Sequence, residues 1–167
     1  MRRKGFGHKW CTWISILLKT VSTKVIVNGV PGRSFTHAKG LRQGDPISPL
    51  LFVIAMDVLS RIMIKAESFG VFSSFTGIAA HQSVSIYADD VALFVKPTLM
   101  DLRFVKEALS MFGEASGLKI NYQKSLAVMI NGEVADRERV ESILQCNMGS
   151  FPCRYVGLQL AIHQLSR

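Results

Sequence analysis

The chain has 167 residues, 49% hydrophobic and 19% charged, a composition that supports a buried core and excludes a disordered or low-complexity segment. On length it is expected to form one domain, 1–167, with no second domain. A net charge of +8 and a pI near 9.7 point to a polyanionic partner, with solubility as the plainer alternative.

The basic residues Arg2, Arg3, Lys4, Lys9, Lys19, Lys24, Arg33, Lys39 and Arg42 all precede the first carboxylate, Asp45. Residues 9–21 carry Trp10, Trp13, Ile14, Leu17, Leu18 and Val21 at helical spacing, which predicts an amphipathic helix with both tryptophans in the core. Residues 24–38 read as a hairpin whose turn uses Asn28-Gly29 and Pro31-Gly32. Ser48-Pro49 offers a cap and a first-turn proline for a helix to about Glu67. That helix is nearly all apolar and is expected to be buried, except for a wet stripe of Asp57, Arg61 and Lys65 at every fourth position. The stripe also argues against a membrane span.

Val84 to Ala88 and Val91 to Val95 read as two short strands with Asp89-Asp90 between them as a tight hairpin. Thr98 and Asp101 form a capping pattern for a helix through Ser116, with Leu102, Val105, Leu109 and Phe112 as its apolar stripe and Gly117 as its stop. Strand-like pieces follow at 118–122 and 125–130, then Asn131-Gly132, a charged helix at 133–145 and a last strand near 154–160. This order predicts an α+β fold with an antiparallel sheet and packed helices. Cys11, Cys146 and Cys153 have no metal-like or pairing pattern and read as reduced thiols of an intracellular protein, with nucleus and cytoplasm unresolved. His81 is expected to be a loop histidine.

The chemistry-bearing feature is Tyr87-Ala88-Asp89-Asp90. Two carboxylates about 4 Å apart repel by roughly 4 kcal/mol at an effective dielectric near 20. A hard divalent cation such as Mg²⁺ removes that penalty, and two-metal phosphoryl transfer is the reaction that most needs such a pair. The plainer alternative is a solvated turn, in which aspartate is common.

Upstream, Gly40-Leu41-Arg42-Gln43-Gly44-Asp45-Pro46-Ile47-Ser48-Pro49-Leu50-Leu51-Phe52 resembles the fingers-to-palm motif of non-LTR (LINE-type) retrotransposon reverse transcriptases, in their plant-like version. Tyr87 to Asp90 resemble the catalytic motif of that family. Gly117-Leu118-Lys119-Ile120-Asn121 with Lys124-Ser125 resemble the motif that follows, and Tyr155-Val156-Gly157-Leu158 resemble the hairpin near the primer grip.

The resemblance implies a partial right-hand polymerase palm and fingers that would add dNTPs to a DNA primer on an RNA template. Asp89 and Asp90 would be catalytic Mg²⁺ ligands, Asp89 the main one. Tyr87 and Ala88 would lie beside template-primer or nucleotide, and Arg42, Gln43 and Gly44 would line the nucleotide pocket. Lys124 would help pyrophosphate leave, with Lys119 as its rival. The basic N-terminal stretch would follow template phosphate.

Two departures stand out. The family's first catalytic aspartate precedes the segment resembling Arg3-Lys4-Gly5-Phe6-Gly7, and no acid precedes Asp45 here. The chain is therefore expected to lack one metal ligand, to be a fragment, and to be inactive alone. Gln159 stands where the family usually has proline. The alternative reading is a non-catalytic nucleic-acid-binding remnant, or a relic.

Overall fold

The structure is a computed structural model that describes residues 1–38, 40–42, 44–71, 73, 83–130 and 132–162. Contacts divide the chain into two compact units, Met1–Phe52 and Val53–Arg167.

In the first unit a 3-10 turn at Arg2–Lys4 precedes helix α1, His8–Thr20. Phe6 stacks on Trp10 with ring centroids 4.3 Å apart, and Ile14 is the buried residue of the helix. Trp13 is 65% exposed, contrary to the core role expected for it. Successive helical residues lie about 100° apart, so a stripe centred on Ile14 leaves its predecessor at the edge.

Strands β1 (Ser22–Val27) and β2 (Val30–Thr36) form the expected hairpin. Asn28 and Gly29 both take positive φ, 50° and 80°, as a two-residue turn matched to strand twist demands. Pro31-Gly32 does not contribute to the turn. It lies in β2, where the register shifts opposite Lys24 to Ile26. A proline, which cannot donate to a ladder, is at home beside such an irregularity. A Cβ on Gly32 would come within 3.1 Å of the Val25 carbonyl oxygen.

Helix α2 runs Ser48–Ser68. Leu51, Met56, Leu59, Met63 and Ala66 are buried, but Leu50, Val53, Val58 and Ile64 are exposed. Its burial is thus one stripe, and the exposed part is wider than the single wet stripe expected, since it takes in these apolar residues as well. The predicted wet stripe is present, with Asp57 and Arg61 paired at 2.9 Å. Gly70, at φ 67°, ends the helix, with the Gly70 N–H on Glu67 O and the Val71 N–H on Ala66 O.

The second unit holds α2 from Val53 onward, strands β3 (Val84–Tyr87) and β4 (Asp90–Leu93), helix α3 (Leu99–Ser116), β5 (Leu126–Val128), helix α4 (Val134–Leu144), β6 (Asn147–Gly149), β7 (Cys153–Tyr155) and β8 (Leu158–Leu160). α3 follows its local sequence signals. Thr98 accepts the Asp101 N–H at 3.1 Å, Gly117 closes the helix at φ 79°, and Leu102, Val105, Leu109 and Phe112 are buried. α4 packs on α3, where Lys106 Nζ donates to the Ile143 carbonyl at 2.6 Å and Arg139 to that of Pro97 at 2.8 Å.

The α+β class read from the sequence holds. Among the described residues the ladders are β1–β2, β3–β4 and β7–β8, all antiparallel, and β5–β6, which is parallel. The stretch 118–122 is not a strand, the second strand-like piece contracts to β5, and β6 was not predicted. The last predicted strand is a hairpin turning at Val156-Gly157. Among the described residues no helix is long and apolar enough to cross a membrane.

Candidate active site

The β3–β4 hairpin is built from strict alternation. Val84, Ile86, Val91 and Leu93 share one face, and Ser85, Tyr87, Asp90 and Ala92 the other, because residues paired across a ladder point the same way. Register pairs Tyr87 with Asp90, so the two-residue turn is Ala88-Asp89 and not Asp89-Asp90. Ala88 adopts φ 50°, the positive value needed at the first central position, and this draws Asp90 into the ladder.

Tyr87, Ala88, Asp89 and Asp90 are all exposed, Tyr87 by 63%. Among the described residues neither aspartate side chain has a hydrogen bond or ion pair, so four carboxylate oxygens stand open to solvent at the tip. The base is fixed more firmly. Ser83 and Val84 are buried, the Phe94 N–H donates to Ser83 O at 2.9 Å, and Ser83 Oγ donates to Glu67 Oε2 at 2.8 Å.

The Tyr155 hydroxyl reaches β3 as well, 3.1 Å from Ser85 Oγ and donating to Ser85 O at 3.2 Å. Tyr155 belongs to the Tyr-Val-Gly-Leu turn singled out in the sequence, but a partner 70 positions away has no local signal.

The other expected site residues lie elsewhere. Lys124 is exposed on the turn into β5, its backbone N–H held by Asn121, and among the described residues its ammonium has no partner. Its rival Lys119 lines an open cavity of about 520 Å³ with Ile120, Asn121, Tyr122, Gln123 and Gln145. That cavity includes neither Lys124 nor the hairpin tip. Arg42 and Gly44 belong to the first unit, Arg42 exposed and Gly44 at φ 84°. Asp45 caps the approach to α2, its Oδ1 accepting the Ile47 N–H at 3.0 Å. Gln43 and His81 lie outside the described residues.

The donor set at the tip suits a hard cation. Mg²⁺ is commonly held by one or two carboxylates, with water and substrate phosphates completing an octahedron. Asp89 and Asp90 supply such a pair, and among the described residues no cluster of three or more acidic, histidine or cysteine side chains enlarges it.

Residues 3–160 match the reverse transcriptase (RNA-dependent DNA polymerase) family. Over 133 residues, 80% of this chain, it is 35% identical to the retrovirus-related Pol polyprotein from type-2 retrotransposable element R2DM of Drosophila melanogaster, covering 12% of that protein. It is 32% identical over 96 residues, 58% of this chain, to the Pol polyprotein from type-1 retrotransposable element R2 of Nasonia vitripennis, covering 9% of it. An uncharacterized mitochondrial protein of Arabidopsis thaliana is 47% identical over 45 residues, 27% of this chain and 37% of that protein. The chain thus spans about a tenth of the Pol polyproteins it matches. It belongs to the reverse transcriptase family and is related to the Pol proteins of non-LTR retrotransposons.

Proposed function

We propose that this chain is part of the palm and fingers of a plant-like non-LTR retrotransposon reverse transcriptase, and that the β3–β4 tip is its metal-binding catalytic hairpin. The observation that carries the reading is the placement of Asp89 and Asp90 on an anchored two-residue hairpin, two exposed carboxylates with no hydrogen bond or ion pair among the described residues. Asp89 and Asp90 would hold Mg²⁺, whose chemistry is to activate a primer hydroxyl and stabilise departing pyrophosphate. Tyr87, on the same face as Asp90, would lie against the template-primer or the incoming dNTP. Arg42, Gln43 and Gly44 would meet the nucleotide, and Lys124 or Lys119 would neutralise the leaving group.

By themselves these 167 residues are proposed not to extend a primer. The resemblance places a further aspartate ahead of the segment like Arg3 to Gly7, and the sequence has no acid before Asp45. The test is primer extension on an RNA template with dNTPs and Mg²⁺, expected to give no product. Incorporation abolished by Asp89→Asn would overturn the inactivity and leave the catalytic assignment standing. Manganese binding, followed by electron paramagnetic resonance, tests the site directly. Affinity unchanged by Asp89→Asn would sink the metal reading.

A second reading, a nucleic-acid-binding remnant without turnover, is favoured by the basic, acid-free stretch before Asp45. It predicts salt-sensitive binding to RNA–DNA duplex that is indifferent to Asp89→Asn.

A further inference from the structure

The Tyr155 hydroxyl of the β7–β8 hairpin hydrogen-bonds Ser85 of the β3–β4 hairpin, and the geometry of that contact is specific. A tyrosine hydroxyl has one proton to give. With that proton on Ser85 O at 3.2 Å, the 3.1 Å contact with Ser85 Oγ must have serine as its donor. Tyr155 therefore both gives to and takes from one residue of β3.

The face matters as much as the bond. Ser85 shares its side of the ladder with Tyr87 and Asp90, and lies two residue pairs, about 7 Å, from them along the strand. The opposite, apolar face is half-buried to buried, so it is already held by packing. The face that presents Tyr87 and Asp90 is held by Tyr155.

We propose that Tyr155 is a positioning residue for the Asp89-Asp90 hairpin. Its hydroxyl fixes the tilt of β3 and so the direction in which Tyr87 and Asp90 project, which couples the β7–β8 hairpin to the metal-binding tip. The inference rests on the catalytic reading of that tip, and its test separates the two.

The test uses the full chain, with Tyr155→Phe to delete only the hydroxyl and Ser85→Ala as a milder variant that keeps the carbonyl acceptor. Amide hydrogen exchange is followed by NMR at Tyr87 and Asp90, with Val105 and Leu109 of α3 as internal references. Tyr155→Phe is expected to speed exchange at the tip by about three- to tenfold, the range that one net hydrogen bond is worth, and to leave α3 unchanged. Ser85→Ala should give a smaller increase at the same amides. Manganese affinity should fall several-fold in Tyr155→Phe, which loss of a merely structural contact would not cause. Tip amides that exchange at the unaltered rate, or only in step with α3, overturn the proposal, as does an unchanged manganese affinity beside an affinity that Asp89→Asn abolishes. Indifference of manganese binding to Asp89→Asn removes the metal reading instead, and exchange then still decides whether Tyr155 holds the hairpin.

Discussion

Glu67, in the last turn of α2, accepts a 2.8 Å hydrogen bond from the hydroxyl of Ser83, which is 2% exposed and immediately precedes β3. A buried hydroxyl that loses its partner keeps the cost of its desolvation, and a hydrogen bond to a charged acceptor is worth about 1.5–3 kcal/mol. Glu67 is itself half-exposed, which favours the lower part of that range. Glu67→Ala is therefore expected to destabilise the protein by about 1–2 kcal/mol in urea unfolding, and Glu67→Gln by less. A loss equal in the two variants would show that the amide does not replace the carboxylate. No loss in either would show that the bond is immaterial.

Burial along α2 makes a sharper contrast. Leu59 is fully buried and Val53, almost two turns earlier, is 61% exposed. Leu59→Ala should cost about 2–5 kcal/mol through lost transfer energy and a residual cavity. Val53→Ala should stay within about 0.5 kcal/mol, as surface changes usually do. Equal losses in the two would mean that Val53 is covered in the folded protein.

The same helix shows where sequence reasoning stops. Apolar composition predicted burial everywhere but the Asp57, Arg61 and Lys65 stripe, yet which apolar residues are covered depends on the partners available, and composition carries no such information. Elements set by local chemistry were legible: Thr98 and Gly117 bound α3, and Asn28-Gly29 turns the first hairpin. The β3–β4 hairpin was legible to within one residue, the error arising because Ala88 accepts a positive φ and Asp90 joins the ladder. β6 was invisible because three residues in a parallel pairing with β5 have no pattern of their own. The Tyr155–Ser85 and Glu67–Ser83 bonds were invisible for the same reason, each being fixed by tertiary placement.

Val156 offers a test of strain. It turns the β7–β8 hairpin at φ 52°, a left-handed conformation that a β-branched residue adopts at a cost of about 1–2 kcal/mol. Val156→Asn, which suits that conformation, should stabilise the fold by about 1 kcal/mol, read as a raised unfolding midpoint. A fall in stability would mean that the valine side chain contributes more by packing than its backbone costs.

Cys146 provides the pH dependence. Burial raises its thiol pKa above the ordinary value of 9.0, against smaller lowering by hydrogen bonds from its own and the Ala127 backbone. The native state then holds the proton more tightly than the unfolded chain. The stability this adds is present in full below the unfolded pKa and is lost as pH rises from there through the folded value. In a Cys11→Ser, Cys153→Ser background, alkylation of Cys146 at pH 8 should be slower in the folded protein than in urea, because less thiolate is present. Equal rates would refute the shift.

The charge distribution of the first unit gives the proposed nucleic-acid partner a test. Every described lysine and arginine there is exposed except half-buried Lys4, and the unit's one acid, Asp45, is engaged with the Ile47 N–H. With no carboxylate interspersed before Asp45, phosphates are the natural counter-charges, and each phosphate neutralised releases condensed counterions. The observed binding constant for RNA–DNA duplex should fall linearly with salt on a log–log plot, with a slope of about −0.7 to −0.9 per phosphate contact. Arg42→Ala should reduce the slope by about one contact if the guanidinium reaches a phosphate. Asp89→Asn should leave the salt slope intact, because a carboxylate makes no counterion-releasing contact with phosphate. Binding that is insensitive to salt between 50 and 200 mM, on the order of the range where such contacts dominate, would remove nucleic acid as the partner of this surface.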